Sequence, residues 1–403
     1  MFRETTVSRS IRVNTVLNVF DLVPRSAGQR PEEAMAASLE LARRAEDYGY
    51  HRLWFGEHHL NPGVMGYSPA LVMALAGSVT TRLRVGSGAV LAGARSALSI
   101  AEEFSLLQAA LPGRIDLGLG RSPVRRPPHG KRPSAGSASA HTPRGRPPTQ
   151  PLTHAARDRI STEGLLLPAA PDLSHLLASE RYAATAELLA PPADSPPYAE
   201  FIDQVRSFLD HTAQVSGSPL PDATQDTDGT PQVWVLGSSA GESAEAAGRR
   251  GLRFGANYHV APSNALDAVE HYRSHFVPHE HLERPTVMVS AEVLVADSHT
   301  EAERLAHGYD TWVHSIRSGE GAIPYPRPGE AAALTGDQRR LVEDRVRTRF
   351  VGTPGEVIEH LRVLQRATSA DELLISTITH DPAARLRSYE LLAESWDAKA
   401  PRT

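Results

Sequence analysis

The sequence predicts an α/β fold, a closed (β/α)8 barrel, on three observations. Strand-length apolar runs alternate with helical periodicity four times in roughly the first 120 residues, the mark of parallel strands joined by crossover helices. The same alternation returns after Gln232 and supplies four more strands. Five consecutive strands end in polar or glycine-rich tips, and the C-terminal strand ends are where such a barrel carries its site.

The elements follow in order. Ile11 to Phe20 is a Val/Leu/Phe-rich strand, and Pro31 to Tyr48 sets Ala34, Ser38, Leu41, Ala45 and Tyr48 at helical spacing, closed by Gly49. Tyr50 to Phe55 is the second strand. Ser68-Pro69 is read as the cap and first residue of a helix through Val79. Arg82 to Leu91 is the third strand, Ser99 to Leu111 a helix, and Arg114 to Gly120 the fourth strand. Helical patterns resume at Leu173 to Leu189 and Tyr198 to Thr212, followed by a polar, turn-forming stretch from Ser216 to Thr230. Strand five, Gln232 to Leu236, runs through GSSAGES into a helix to Arg250. Strand six is Arg253 to Val260, with helix Ala265 to Phe276, and strand seven is Val287 to Ala296. Helices are expected over Thr300 to Arg317 and Val351 to Ala367. Strand eight, Asp371 to Ile378, precedes a closing helix from Pro382 to Ala398.

The alternation breaks after strand four. No Asp or Glu occurs from Leu117 to Arg157, and residues 122–157 are dominated by Pro, Gly, Ser, Ala and basic side chains. Too little apolar surface is present to offset the entropy of ordering, so this segment is read as a long, disordered, basic and Pro-rich insertion within a single domain spanning 1–403. The 403 residues include no Cys, which excludes disulfides, thiolate metal sites and a cysteine nucleophile and fits a cytoplasmic protein. A net charge of −5 argues against a nucleic-acid partner. No apolar run approaches the ~18 residues of a membrane span, and the polar amino terminus, Met1 to Arg12, has no apolar core of a secretion signal.

Several tips carry reactive side chains. Strand two leads into Glu57-His58-His59. Adjacent strand residues face opposite sides, so a two-histidine metal site is not expected, and no other metal site is read from the chain. His58 is read as a proton donor or acceptor for a bound ligand, against the alternative of a packed, hydrogen-bonded ring. Glu57 either orients it or is structural. Gly86-Ser87-Gly88 leaves a strand bare of side chains, which suits close approach by a flat ligand. Gly237, Ser238, Ser239 and Ser243 lie where a strand meets a helix, with free N–H groups and hydroxyls that suit a phosphate, and Arg121 supplies countercharge. Gly118-Leu119-Gly120 lacks the third glycine and following helix of a dinucleotide fingerprint. Tyr258 and His259 end strand six.

The blocks AEDYGYHRLWFGEHH (45–59), RLRVGSGAVL (82–91), AEEFSLLQAALPGRIDLGLGR (101–121), VWVLGSS (233–239), FVGTPGEVIEHL (350–361) and ADELLISTITHDPAARLRSYELL (370–392) resemble, in order, the bacterial luciferase-like flavin monooxygenase superfamily, and its single-chain members most. The resemblance implies a (β/α)8 barrel that takes reduced FMN from a separate flavin reductase. With O2 it would form a flavin C4a-hydroperoxide that oxidises a small organic substrate. It implies His58 as a base beside the flavin ring, a non-prolyl cis peptide at Gly88-Ala89 against that ring, and a phosphate cradle of Arg121 and the GSSAGES serines. Ser243 is displaced there by one inserted residue. Tyr258 and His259 would flank the cofactor, and helices Pro69 to Val79 and Ser99 to Leu111 would pair two copies into a homodimer. The alternatives are a deazaflavin F420-dependent hydride transferase and a non-catalytic flavin-binding protein. The basic segment after Arg121 departs from the family pattern, which there continues with a Gly-Ser-Asp type turn and a helix.

Overall fold

Inward and outward side chains alternate along every strand and set the architecture. The computed structural model describes residues 15–92, 95–121, 157–189, 191–192, 195–220, 224 and 227–398. The expected insertion, apart from Arg157, and the amino-terminal residues before Thr15 lie outside the described residues. Eight parallel strands close a barrel: β1 (Val16–Asp21), β2 (Arg52–Phe55), β3 (Arg84–Ser87), β4 (Ile115–Arg121), β5 (Gln232–Gly237), β6 (Arg253–Asn257), β7 (Val287–Val295) and β8 (Glu372–Ser376). Each pairs with the next, and β8 pairs back onto β1 with Val16 opposite Glu372.

Helices α1 (Pro31–Asp47), α2 (Pro69–Ser78), α3 (Ala97–Ala110), α4 (Tyr198–Leu209), α5 (Glu242–Arg249), α6 (Ala265–Ser274), α7 (Pro354–Thr368) and α8 (Pro382–Ala398) follow the strands. Outward residues such as Leu53, Leu117, Val235, Phe254 and Ile375 join the helices in one apolar core. Among the described residues no helix is long and apolar enough to cross a membrane.

The barrel interior is filled in layers. Asn18, Arg52, Arg84, Asp116, Gln232 and Glu372 form the base. Asp116 is fully buried, accepts from Arg52 (2.7 Å), Arg84 (2.6 Å) and the Trp54 indole (2.9 Å), while Arg52 also reaches Glu372 at 2.9 Å. Burial pushes the Asp116 carboxyl up, but Arg52 and Arg84 outweigh it and hold it below the ordinary carboxylate range. Above this layer Trp54 and Trp234 cross edge to face at 5.2 Å. Gly86 makes room for them, since a Cβ there would lie 2.4 Å from the Trp54 indole nitrogen.

The structure adjusts several expected elements. The third strand is interrupted by a cis peptide between Gly88 and Ala89, and Val90–Ala92 resumes pairing with β4. Ser68 precedes α2 but makes no capping hydrogen bond. The helix expected over 300–317 is two, His299–Ala306 and Tyr309–Arg317, parted at Gly308 with φ of +89°. The helix expected from Val351 starts at Pro354, because Thr353 and Glu356 form a capping box and Phe350–Gly352 instead pairs with β7. Leu173 to Leu189 divides into Ser174–Leu177 and Glu180–Leu189. A charged helix, Gly336–Arg347, is additional; its Val342 packs with Tyr309, Trp312 and Tyr325 in a second apolar cluster.

Asp116→Asn removes the charge that both arginines share. It should lower unfolding free energy by about 3–5 kcal/mol in urea denaturation, the cost of stranding a buried partner. A loss under about 1 kcal/mol would show that the base layer is hydrated rather than sealed.

Candidate active site

At the C-terminal end of the strands lies a cavity of about 250 Å³, lined among others by Glu57, His58, Gly88, Ala89, Arg121, Gly237, Ser238, Ser239 and Ser243. Its histidine is placed by the turn after β2. The His58 N–H donates to the Gly66 carbonyl at 2.7 Å, and the imidazole folds back over Gly56, where a Cβ would lie 2.4 Å from Cε1. Its Nδ1 is shielded from solvent and has no hydrogen-bond partner among the described residues. Burial, with His59 beside it, lowers the His58 pKa to about 4, so the ring is neutral near pH 7.

Glu57 does not orient His58. Its Oε1 meets His59 Nε2 at 2.8 Å, and its Oε2 accepts the Leu91 N–H at 2.9 Å. The carboxylate thus ties the histidine turn to the chain just beyond Gly88-Ala89. His59 is absent from the cavity lining, although the strand has already ended at Phe55 and the separation of the two rings comes from the turn rather than from strand alternation.

The floor is bare main chain. Gly88 donates to the Phe55 carbonyl at 2.8 Å, and a Cβ on it would sit 3.0 Å from Phe20 and 3.2 Å from Trp54. A Cβ on Gly120, one strand over, would lie 2.9 Å from that of Ala89. Opposite, α5 starts at Glu242 after Gly241, which has no side chain with which to cap it, so first-turn N–H groups are open to an anion. Ser243 is buried within this first turn and Ser238 and Ser239 precede it. Arg121 is half-exposed and pairs with Glu242 at 2.9 Å.

Strand six, expected to run to Val260, ends at Asn257. Asn257 lines the cavity, and Tyr258 points outward, buried, with its hydroxyl donating to the Leu166 carbonyl at 2.7 Å. His259 turns back toward the barrel mouth, its Nδ1 at 2.5 Å from Ser290 Oγ and its ring edge-on to Phe20 at 5.7 Å. Neither Tyr258 nor His259 lines the cavity. Burial, with smaller contributions from the charges of Arg345 and His58, lowers the His259 pKa to about 3. Beyond it, buried Glu292 lies 3.9 Å from Arg349, whose guanidinium sits 4.2 Å over the Tyr309 ring. The sequence signal of this cluster is the carboxylate of Glu292 inside the apolar run VMVSAEVLVA.

The sequence model described as luciferase-like monooxygenase matches residues 16–136 and 199–371. The chain belongs to the luciferase-like monooxygenase family. It is 31 % identical over 377 residues to a luciferase-like monooxygenase of Escherichia coli, covering 93 % of this chain and 95 % of that one. To the YvbT protein of Bacillus subtilis it is 30 % identical over 393 residues, covering 97 % and 99 %. Among solved structures, apo-MsnO8 superposes with a TM-score of 0.69 at 26 % identity over 96 % of this chain and 98 % of that one. The fold alone is shared with the oxygenating constituent of 3,6-diketocamphane monooxygenase from Pseudomonas putida in complex with FMN (TM-score 0.57, 16 % identity, 96 % and 100 % covered). It is shared likewise with an F420-dependent secondary alcohol dehydrogenase (TM-score 0.55, 13 % identity, 95 % and 99 % covered).

For this family member the two lowered imidazoles give a pH dependence of known sign. An unfolded chain protonates both rings below about pH 6.5, whereas the folded chain resists until near pH 4 and 3. The stability they contribute is complete above pH 6.5 and is lost as pH falls through that window. Urea midpoints measured from pH 7 to 4 should therefore fall less steeply for a His58→Asn/His259→Asn double variant; an equal slope would place both rings in water.

Proposed function

We propose that this protein is a flavin-dependent monooxygenase that takes reduced FMN from a separate reductase and uses O2 to oxidise a small organic substrate in the cytoplasm. The observation that carries the reading is the convergence of His58, the bare Gly88-Ala89 main chain, Arg121 and the Ser238-Ser239 pair on one cavity. Family membership supports the oxygenase chemistry.

The donor set fits a phosphorylated flat ring. Open N–H groups of α5, the three serines and Arg121 present donors to a phosphate, with charge-assisted bonds the strongest. Gly88, Ala89 and Gly120 leave space where side chains would obstruct a planar ring. When bound, reduced FMN supplies two electrons and two protons, so that one oxygen atom enters the substrate and the other leaves as water. His58, neutral near pH 7 and lining the cavity, is the chain's own group that would hold or take up a proton once the ring is bound. Exposed Leu71 and Leu75 on α2 and Leu106 on α3 supply an apolar surface for pairing two copies, which sedimentation equilibrium tests by a dimer lost in Leu71→Glu/Leu106→Glu.

FMN and riboflavin titrations test the cradle. Arg121→Ala and Ser239→Ala should each weaken FMN binding about tenfold or more while leaving riboflavin unchanged, as expected for a hydrogen bond to a charged group. Glu242→Gln frees Arg121 and removes a like charge, so it should tighten FMN by up to about fivefold, the ceiling of an exposed ion pair. Equal losses for both flavins would place the phosphate elsewhere.

A reductase-coupled oxygen-uptake assay over candidate aldehydes, ketones and aromatic compounds tests the chemistry. His58→Ala should lower substrate-dependent turnover by about 100-fold or more with FMN affinity little changed. The F420 enzymes of the same fold define the second reading. Hydride transfer from reduced F420 without oxygen uptake would favour it, and tight FMN binding with no substrate-dependent product would favour a flavin carrier.

A further inference from the structure

A second constellation lies outside the barrel, where α5 packs on α6. Gly248 lets the two helices approach, because a Cβ there would lie 2.7 Å from the Tyr272 carbonyl and 2.9 Å from the His275 carbonyl carbon. The Val277 N–H also donates to the Gly248 carbonyl at 2.9 Å, fixing the crossing. Glu245 stands one turn before Gly248 on α5. His271 and His275, four residues apart, occupy the last turn and C-cap of α6.

The crossing brings three ligating groups together. One ligand atom from each of Glu245, His271 and His275 lies within 4.8 Å of the other two, and all three residues are half-buried. The imidazole centroids are 4.3 Å apart. His275 Nδ1 is 2.8 Å from the His271 carbonyl, a bond in which the ring must donate, so its Nε2 carries the free lone pair. No hydrogen bond to the His271 ring occurs among the described residues. One Glu245 oxygen accepts from Arg249 at 2.7 Å and the other is without a hydrogen bond among them. The partial negative charge at a helix C-terminus favours a cation there.

We propose that Glu245, His271 and His275 bind a divalent transition metal of the zinc type, cross-bracing α5 and α6. Two imidazoles and a carboxylate suit Zn2+, Co2+ or Ni2+ and not Ca2+ or Mg2+, which take oxygen ligands. Three protein ligands leave a position for water. The site is distinct from the cavity, yet it grips the helix whose first turn carries Ser243.

The test titrates ZnCl2 into the untagged, chelator-treated full chain by calorimetry, with CoCl2 absorbance as a second readout. Expected are one strong Zn2+ per chain, a visible Co2+ band and a raised melting temperature. His271→Ala and His275→Ala should each weaken binding about tenfold or more, as should the conservative Glu245→Gln, each variant keeping the native circular dichroism. The exposed cluster His279, Glu280 and His281 nearby is the internal control, so His279→Ala/His281→Ala should leave binding intact. No binding, affinity unchanged in His271→Ala and His275→Ala, or loss in the His279/His281 double variant would each overturn the proposal.

Discussion

The buried carboxylate of Asp116, held between Arg52 and Arg84, is the constraint on which the rest of the molecule depends. A closed ring of eight strands leaves an interior just wide enough for side chains to fill. Here the base is filled with charges that neutralise one another. The Trp54 indole donates into that network, so the aromatic layer above inherits its position from the ionic layer below. Phe20 and Trp54 then form the underside of the Gly88 main chain. The cavity floor is therefore set by side chains two layers deeper, none of which lines the cavity.

That stacking explains why the site combines rigidity with bareness. Large rings crowd the barrel centre and force glycine onto the third strand at Gly86 and just past its end at Gly88, leaving main chain exposed at the mouth. The cavity opens where the protein has already given up its own side chains. On the opposite rim, α5 begins after a residue that cannot cap it, and open N–H groups face the same space. The second apolar cluster, built from Tyr309, Trp312, Tyr325 and Val342, covers another part of the fold and encloses the Glu292 region.

Much of this was legible in the sequence. The eight strands announced themselves because parallel strands buried on both faces read as short apolar runs, and the glycines and serines of the site sit where those runs end. What was not legible depends on distance in space. Glu57 looks like the natural partner of the histidine next to it, but a carboxylate chooses among all donors that the fold brings near, and here these are His59 and the Leu91 N–H. Tyr258 and His259 look like the tip of a strand running to Val260, but the strand stops at Asn257, and past its end alternation no longer sets which face a side chain takes. The helix Gly336–Arg347 carries few apolar residues, so its periodicity is faint until Tyr309 and Trp312 stand beside it. The break at Gly308 was hidden for the opposite reason, since helical spacing continues on both sides of it.

The double engagement of Glu57 has a wider meaning. One oxygen holds the histidine turn and the other holds the backbone just past the bare floor, so two segments more than thirty positions apart move as one piece. Evolution can then retune the far rim, through α5 and the arginine at the end of β4, without disturbing how the histidine turn sits against the Gly88-Ala89 main chain. A barrel wired in this way can diversify what it admits while conserving where it reacts.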